Sequence, residues 1–119
     1  SREILAAVGD MFFASKIKGT AEQVDVAVKF VRNTEALLEQ ARKTPALIVL
    51  DLNNTRFDPI EAIEKLKADE NLKKIPVVGF LSHVQVDLYK RAESAGCDQI
   101  LPRSKFTTHL PNILSGESF

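Results

Sequence analysis

Apolar residues in this chain fall into two rhythms that take turns. Short runs rich in Val, Ile and Leu stand at Ile4 to Val8, Val24 to Val28, Ala46 to Leu50, Val77 to Leu81 and Gln99 to Leu101. The third and fourth runs are continuously apolar, as strands covered on both faces are. The segments between them repeat apolar residues three or four positions apart, the period of a helix with one buried face. Strand and helix patterns in alternation predict a parallel sheet with helices on both sides.

Helix ends can be read separately. Asp58-Pro59-Ile60-Glu61 predicts a start: Asp58 caps, Pro59 takes the first helical position, and Glu61 has capping-box spacing. Ile60, Ala62, Ile63 and Leu66 then share the inner face, leaving Glu64, Lys65 and Lys67 to water. A second helix runs from Asn33 or Thr34 to Arg42 and buries Leu37, Leu38 and Ala41. A third begins near Ser82, with Gln85 at capping-box spacing. It turns Val84, Leu88, Ala92 and Ala95 inward and stops at Gly96. A short last helix covers Thr108 to Leu114, with Pro111 tolerated in its first turn. After the first strand, Met11 to Lys18 suits a helix, but Gly19-Thr20 comes early, so a short helix followed by a turn is expected. Five strands and about five helices in 119 residues fit an α/β fold, a flavodoxin-like doubly wound five-stranded parallel sheet of order 2-1-3-4-5.

Composition narrows the functional classes. The length suits one domain, residues 1–119, that closes its own core without disulfide or structural metal. Sixteen basic residues offset sixteen acidic ones, so direct nucleic-acid binding is not expected. Cys97 is the lone cysteine and reads as a small buried side chain. Together with His83 and His109 it makes a poor zinc set. No run approaches the ~20 apolar residues of a membrane span, so a cytoplasmic protein without a membrane partner is expected. Ser1 in place of Met suggests a processed tag or an excised domain.

The chemistry gathers at the strand ends. In a parallel sheet, Gly9-Asp10, Asp51, Leu81-Ser82 and Pro102-Arg103-Ser104-Lys105 would meet at one carboxyl edge, where open α/β sheets bind ligands. Two carboxylates brought close need a cation, and a hard ion such as Mg²⁺ suits carboxylate and carbonyl oxygens. A carboxylate can also attack phosphorus when cations neutralise the phosphoryl oxygens. Each residue has a plainer duty as well. Asp10 and Ser82 can cap helices, Asp51 can be a turn acid before Leu52-Asn53-Asn54, and Arg103 and Lys105 can be solvated. His83 reads as a surface histidine at a helix start, and at least two of Phe12, Phe13 and Phe30 as core.

Across nearly its whole length the chain resembles a response-regulator receiver domain. The resemblance lies in Ala46 to Asp51, in Ile75-Pro76-Val77-Val78 followed by Ser82, in Ala95-Gly96-Cys97-Asp98 and in Leu101-Pro102-Arg103-Ser104. It implies that Asp51 accepts a phosphoryl group, assisted by Ser82, Arg103 and Lys105. It also implies that Asp10, Asp51 and the Asn53 carbonyl face Mg²⁺. A histidine kinase or phosphotransfer protein would supply the phosphoryl group to this non-enzymatic signalling module. A downstream output protein or domain would read the result through the surface of the fourth helix, fifth strand and last helix, where Tyr89 and His109 lie.

The chain departs from that pattern at several sites. Gly9 stands where a second acid is usual, which weakens the metal. Leu81 takes the place of the hydroxyl residue, with Ser82 one position later. Arg103 replaces a lysine, Ile100 replaces the aromatic of the fifth strand, and Asn54-Thr55-Arg56-Phe57 replaces a Met-Pro-Gly loop. The leading expectation is a receiver whose partner binding is switched by phosphorylation of Asp51; the alternative is a pseudo-receiver that binds partners with Asp51 unmodified.

Overall fold

The computed structural model describes residues 2–82 and 85–118. Ser1, His83, Val84 and Phe119 lie outside the described residues, and with them the expectations placed on Ser1, His83 and Val84. In chain order the elements are β1 (Arg2–Ala7), α1 (Met11–Gln23), β2 (Val26–Phe30), α2 (Thr34–Ala41), β3 (Leu47–Asp51) and α3 (Pro59–Ala68). They continue with β4 (Val77–Leu81), α4 (Val86–Ala95), β5 (Gln99–Pro102), α5 (Arg103–Thr108) and α6 (Leu110–Ser115). The five strands form one sheet in the order β2-β1-β3-β4-β5, and every pairing is parallel. This is the doubly wound order expected from the alternating pattern.

Period-two alternation along the strands divides the core into two layers. Leu5, Ala7, Ile48, Leu50, Val77 and Leu81 face α2, α3 and α4. Ile4, Ala6, Leu47, Val49, Val78 and Phe80 face α1, α5 and α6. All five residues of β3 are buried, Asp51 among them. Burying each large aliphatic side chain contributes roughly 1.5–3 kcal/mol. The central strand is therefore anchored on both faces and delivers its last residue to a fixed point.

Several local expectations are corrected. Helix α1 continues through Gly19 and Thr20 to Gln23, because Phe13, Ile17 and Ala21 form an unbroken buried stripe. That stripe outweighs the ~1 kcal/mol penalty of a mid-helix glycine. Asp25, at φ 56°, then turns the chain, so β2 begins two residues later than the pattern suggested. Helix α4 begins at Val86 and not near Ser82, and Gln85 occupies the cap position without a side-chain cap hydrogen bond. The last helical segment begins at Arg103, before the expected Thr108, and divides in two at His109, with Pro111 at the start of α6. Proline lacks the N–H needed to continue the preceding ladder. Leu38, Leu88 and Ala95 are only partly buried against the core.

Lys67 is the clearest miss on a helix surface. Its side chain is only 17% exposed and pairs with Asp98 at 2.8 Å. The ammonium also donates to the carbonyls of Lys73 and Ile75 at 3.0 and 3.1 Å, while Asp98 accepts the Val77 N–H at 2.8 Å. The end of α3, the entry to β4 and the loop before β5 are thus tied at one point. Asp58 caps α3 through Ile60 and Glu61, as expected, and Asn33, one of the two expected first residues of the second helix, instead caps α2 through Ala36.

Two glycines should respond in opposite directions to alanine. Gly96 ends α4 at φ 105°, and a Cβ there would meet Lys67 Cγ at 2.9 Å. Gly96→Ala should destabilise the protein by at least about 1–2 kcal/mol from the left-handed backbone alone. Gly19 lies within α1, and a Cβ there would have nothing within 4 Å. Gly19→Ala should stabilise by roughly 0.5–1 kcal/mol. Urea unfolding of both variants checks the pair; changes of the same sign would contradict the helix assignments.

Candidate functional site

Because every strand runs the same way, the segments after β1, β3, β4 and β5 emerge at one sheet edge. Asp51 is the last residue of β3 and only 5% exposed. The Asn53 N–H donates to its Oδ1 at 2.9 Å, and the Gly9 backbone amide adds a weaker electrostatic support to the charged carboxylate. Burial raises the Asp51 pKa above the usual carboxylate value. The Asn53 N–H, the positive charge of Arg103 and the Gly9 N–H pull it back only in part, while the Asp10 charge adds to the rise. Asp51 is thus an acid held at the floor of a crevice, with its ionised form disfavoured by desolvation.

Asp10 has a different environment. Its side chain is 41% exposed, and Oδ1 accepts the N–H groups of Phe12 and Phe13 at 2.8 and 3.3 Å, capping α1. Its other oxygen, Oδ2, lies 3.6 Å from Nη1 of Arg103. The plainer duty of a helix cap and a place at the crevice therefore coincide in this residue.

Arg103 spans the crevice from the first turn of α5. Its guanidinium carbon is 4.5 Å from the centre of the Phe13 ring and 5.7 Å from that of Phe80. Those rings belong to an aromatic cluster in which Phe80 stacks on Phe106 at 4.5 Å and meets Phe13 at 4.8 Å. A guanidinium over aromatic faces is attracted by about 0.5–2 kcal/mol. Its Nε is buried and has no hydrogen-bond partner among the described residues. Phe13 and Phe30 do contribute to this side of the core, whereas Phe12 is exposed.

Ser82 and Asn53 meet through backbone and amide. The Ser82 N–H donates to Asn53 Oδ1 at 2.8 Å, and Asn53 Nδ2 donates to Gln85 Oε1 at 2.8 Å. The Asn53 side chain therefore joins the loop after β3 to the loop before α4. Lys105 is exposed and makes no ion pair among the described residues. Of the residues picked from the sequence, the structure gathers Asp10, Asp51, Asn53, Ser82 and Arg103 and leaves Lys105 on the outer surface. It adds the rings of Phe13 and Phe80 and the amide of Gln85, which sequence reasoning missed. Phe13, three residues after the capping Asp10, was the available signal.

Cys97 is chemically quiet. Its thiol donates to the carbonyls of Gln99 and Val77 at 3.3 and 3.6 Å, and burial pushes its pKa up to about 11. That is the behaviour of a packed thiol and not of a nucleophile.

The donor set does not fit a divalent ion well. Mg²⁺ demands octahedral oxygens at about 2.0–2.1 Å. Here one Asp10 oxygen is committed to the α1 N–H groups and the other faces a guanidinium. Position 9 offers no carboxylate, and no cluster of three His, Cys, Asp or Glu side chains occurs among the described residues. Gly9 is not held in a left-handed conformation, and a Cβ there would meet Asn54 Oδ1 at an ordinary 3.4 Å. The missing acid is a chemical departure and not a requirement of the backbone.

Comparison with known proteins places the fold. No protein-family model matches the chain, and no curated protein matches it in sequence. Solved structures do. A response regulator from Hahella chejuensis superposes with a TM-score of 0.84 at 20% identity, covering 97% of this chain and 93% of that one. The phosphorylated cyanobacterial phytochrome response regulator RcpA gives 0.80 at 23% identity, covering 97% and 89%. The receiver domain of the sensor histidine kinase PA1611 from Pseudomonas aeruginosa PAO1, with magnesium in its active-site cleft, gives 0.79 at 17% identity, covering 98% and 99%. The chain has the fold of response-regulator receiver domains.

The raised Asp51 pKa fixes the sign of a pH effect. Between the unfolded value near 3.8 and the higher folded value, the folded state holds more proton, so stability falls as pH rises through that window. Above it the loss is constant, and below pH ~3.8 it is absent. Asp51→Asn keeps an acceptor for the Asn53 N–H but cannot ionise. Its thermal stability should exceed wild type at pH 7, with the difference shrinking towards zero as pH falls below the unfolded carboxylate value. Melting curves across pH 3 to 8 check this; a variant less stable at pH 7 would contradict it.

Proposed function

We propose that this chain is a receiver-fold protein-interaction module that engages its partner with Asp51 unmodified. The observation that carries this reading is Arg103, held over Phe13 and Phe80 and against Asp10. It puts a fixed positive group at the crevice where a phosphorylation site needs an exchangeable cation and open approach to the acceptor. The buried, desolvated Asp51 is poorly disposed to act as a nucleophile at that point.

The surface best suited to a partner lies one loop away. Leu81, Val86, Tyr89 and Pro102 line a groove of about 360 Å³ between α4 and β5. Val86 and Tyr89 are exposed large apolar side chains at its rim. Gln85 also lines this groove, and the Asn53 amide holds it at 2.8 Å. These contacts supply a preformed groove edge, which lowers the ordering cost of binding. Ile100 in β5, where receivers carry a reporting aromatic, supports an always-available surface over a switched one.

A second reading keeps Asp51 as the phosphoryl acceptor, favoured by its place at the carboxyl end of β3. A histidine kinase or phosphotransfer protein would then be the upstream partner, as the phosphorylated state of RcpA suggests. One experiment separates the two. The protein is incubated with a small acyl phosphate and Mg²⁺, and separately with its cognate kinase, and its intact mass is followed. The mass should stay unchanged. Binding to a crosslinked output protein should survive Asp51→Asn and weaken about tenfold or more, ~1.4 kcal/mol, in Val86→Glu. A mass increase abolished by Asp51→Asn would establish the second reading instead.

A further inference from the structure

We infer that Arg103 is the resident cation of the crevice, balancing Asp10 and Asp51 in the place a divalent ion would take and making the crevice independent of magnesium. The inference rests on the crevice geometry and not on the interaction reading. A chain phosphorylated at Asp51 yet indifferent to magnesium for its stability would remove that reading and keep this one.

Three observations converge on the guanidinium. Its Nη1 lies 3.6 Å from Asp10 Oδ2, and its charge acts on the buried Asp51. Its carbon rests 4.5 Å from the Phe13 ring centre and 5.7 Å from Phe80, both part of the buried core. Its Nε is buried without an oxygen partner among the described residues. An arginine chosen only for solubility would extend into water and leave no donor buried. This one accepts an unpaired donor in order to hold its charge at the crevice, and the aromatic faces offset part of that cost.

Charge logic makes guanidinium and metal alternatives. Both would balance the same two carboxylates, and two cations in one small crevice repel. Guanidinium is weakly hydrated and stacks on rings, so it enters at small desolvation cost. Magnesium gives up its water reluctantly and here would find one Asp10 oxygen already bound to helix N–H groups. Removing the arginine charge should therefore turn a magnesium-indifferent crevice into a magnesium-responsive one.

The test compares wild type, Arg103→Met and Arg103→Lys by thermal unfolding at pH 7. Each is measured in millimolar MgCl₂ and in NaCl of matched ionic strength. Methionine keeps favourable contact with Phe13 and Phe80, so its effect reports mainly the charge. Wild type should melt at the same temperature in both salts. Arg103→Met should lose about 4 °C or more in NaCl and regain at least half of it in MgCl₂. Arg103→Lys, still cationic, should show no magnesium response. A wild-type melting point that rises with magnesium, or an Arg103→Met protein that ignores it, would overturn the inference. If Arg103→Met does not fold, the wild-type amide spectrum decides. No saturable magnesium shifts at Gly9, Asp10 and Asn53 would support the inference, and saturable shifts there would overturn it.

Discussion

The contact of the Arg103 guanidinium with two core rings and the Asp10 carboxylate sets the character of this molecule. A carboxylate 5% exposed at the end of an otherwise apolar strand is expensive to keep ionised. Asp51 tolerates its position because two backbone N–H groups and the Arg103 charge oppose the desolvation. Arg103 can stay there because Phe13 and Phe80 are themselves fixed, one by a capped helix and the other by the fully buried strand β4. The stacked Phe80–Phe106 pair continues that support into α5, from which Arg103 itself projects. Core and crevice are one packing problem, and the charge arrangement is built on the hydrophobic layer beneath it.

The Asn53 amide connects this edge of the sheet to the groove beside α4. Asn53 donates its backbone N–H to Asp51, accepts the Ser82 N–H at its side-chain Oδ1 and donates its Nδ2 to Gln85. Receiver domains lend themselves to switching when a hydroxyl and an aromatic respond to the acceptor. Here Leu81 is a buried strand residue, Ile100 lies in β5, and this amide clamp ties crevice to groove. Such a clamp suits a surface that is kept in shape and not remade.

How much of this the sequence revealed depends on the range of the interaction involved. The strands and their order were legible because apolar runs and their terminators are local signals, and because parallel topology follows from strand–helix alternation. Asp58 was legible as a cap for the same reason. Helix α1 was cut short because Gly19-Thr20 was weighed over the longer stripe of Phe13, Ile17 and Ala21. The start of α4 was misplaced because Gln85, held by Asn53 from far away in sequence, takes the cap position that local spacing assigned to Ser82. Lys67 looked solvated because Asp98 and the carbonyls it binds come from other elements. Asp10, Asp51 and Arg103 could be gathered by topology alone. The rings beneath Arg103 could not, since Phe13 and Phe80 come from separate elements and meet only in the packed core.

The central claim is that a side-chain cation, and not a metal ion, organises this crevice. A crystal structure of the wild-type protein grown at high magnesium concentration tests it most directly. The account predicts the Arg103 guanidinium over Phe13 and beside Asp10, with no magnesium at the ~2.0–2.1 Å coordination distance from Asp51. An octahedral ion bound by Asp10, Asp51 and the Asn53 carbonyl, with Arg103 displaced from the rings, would contradict it.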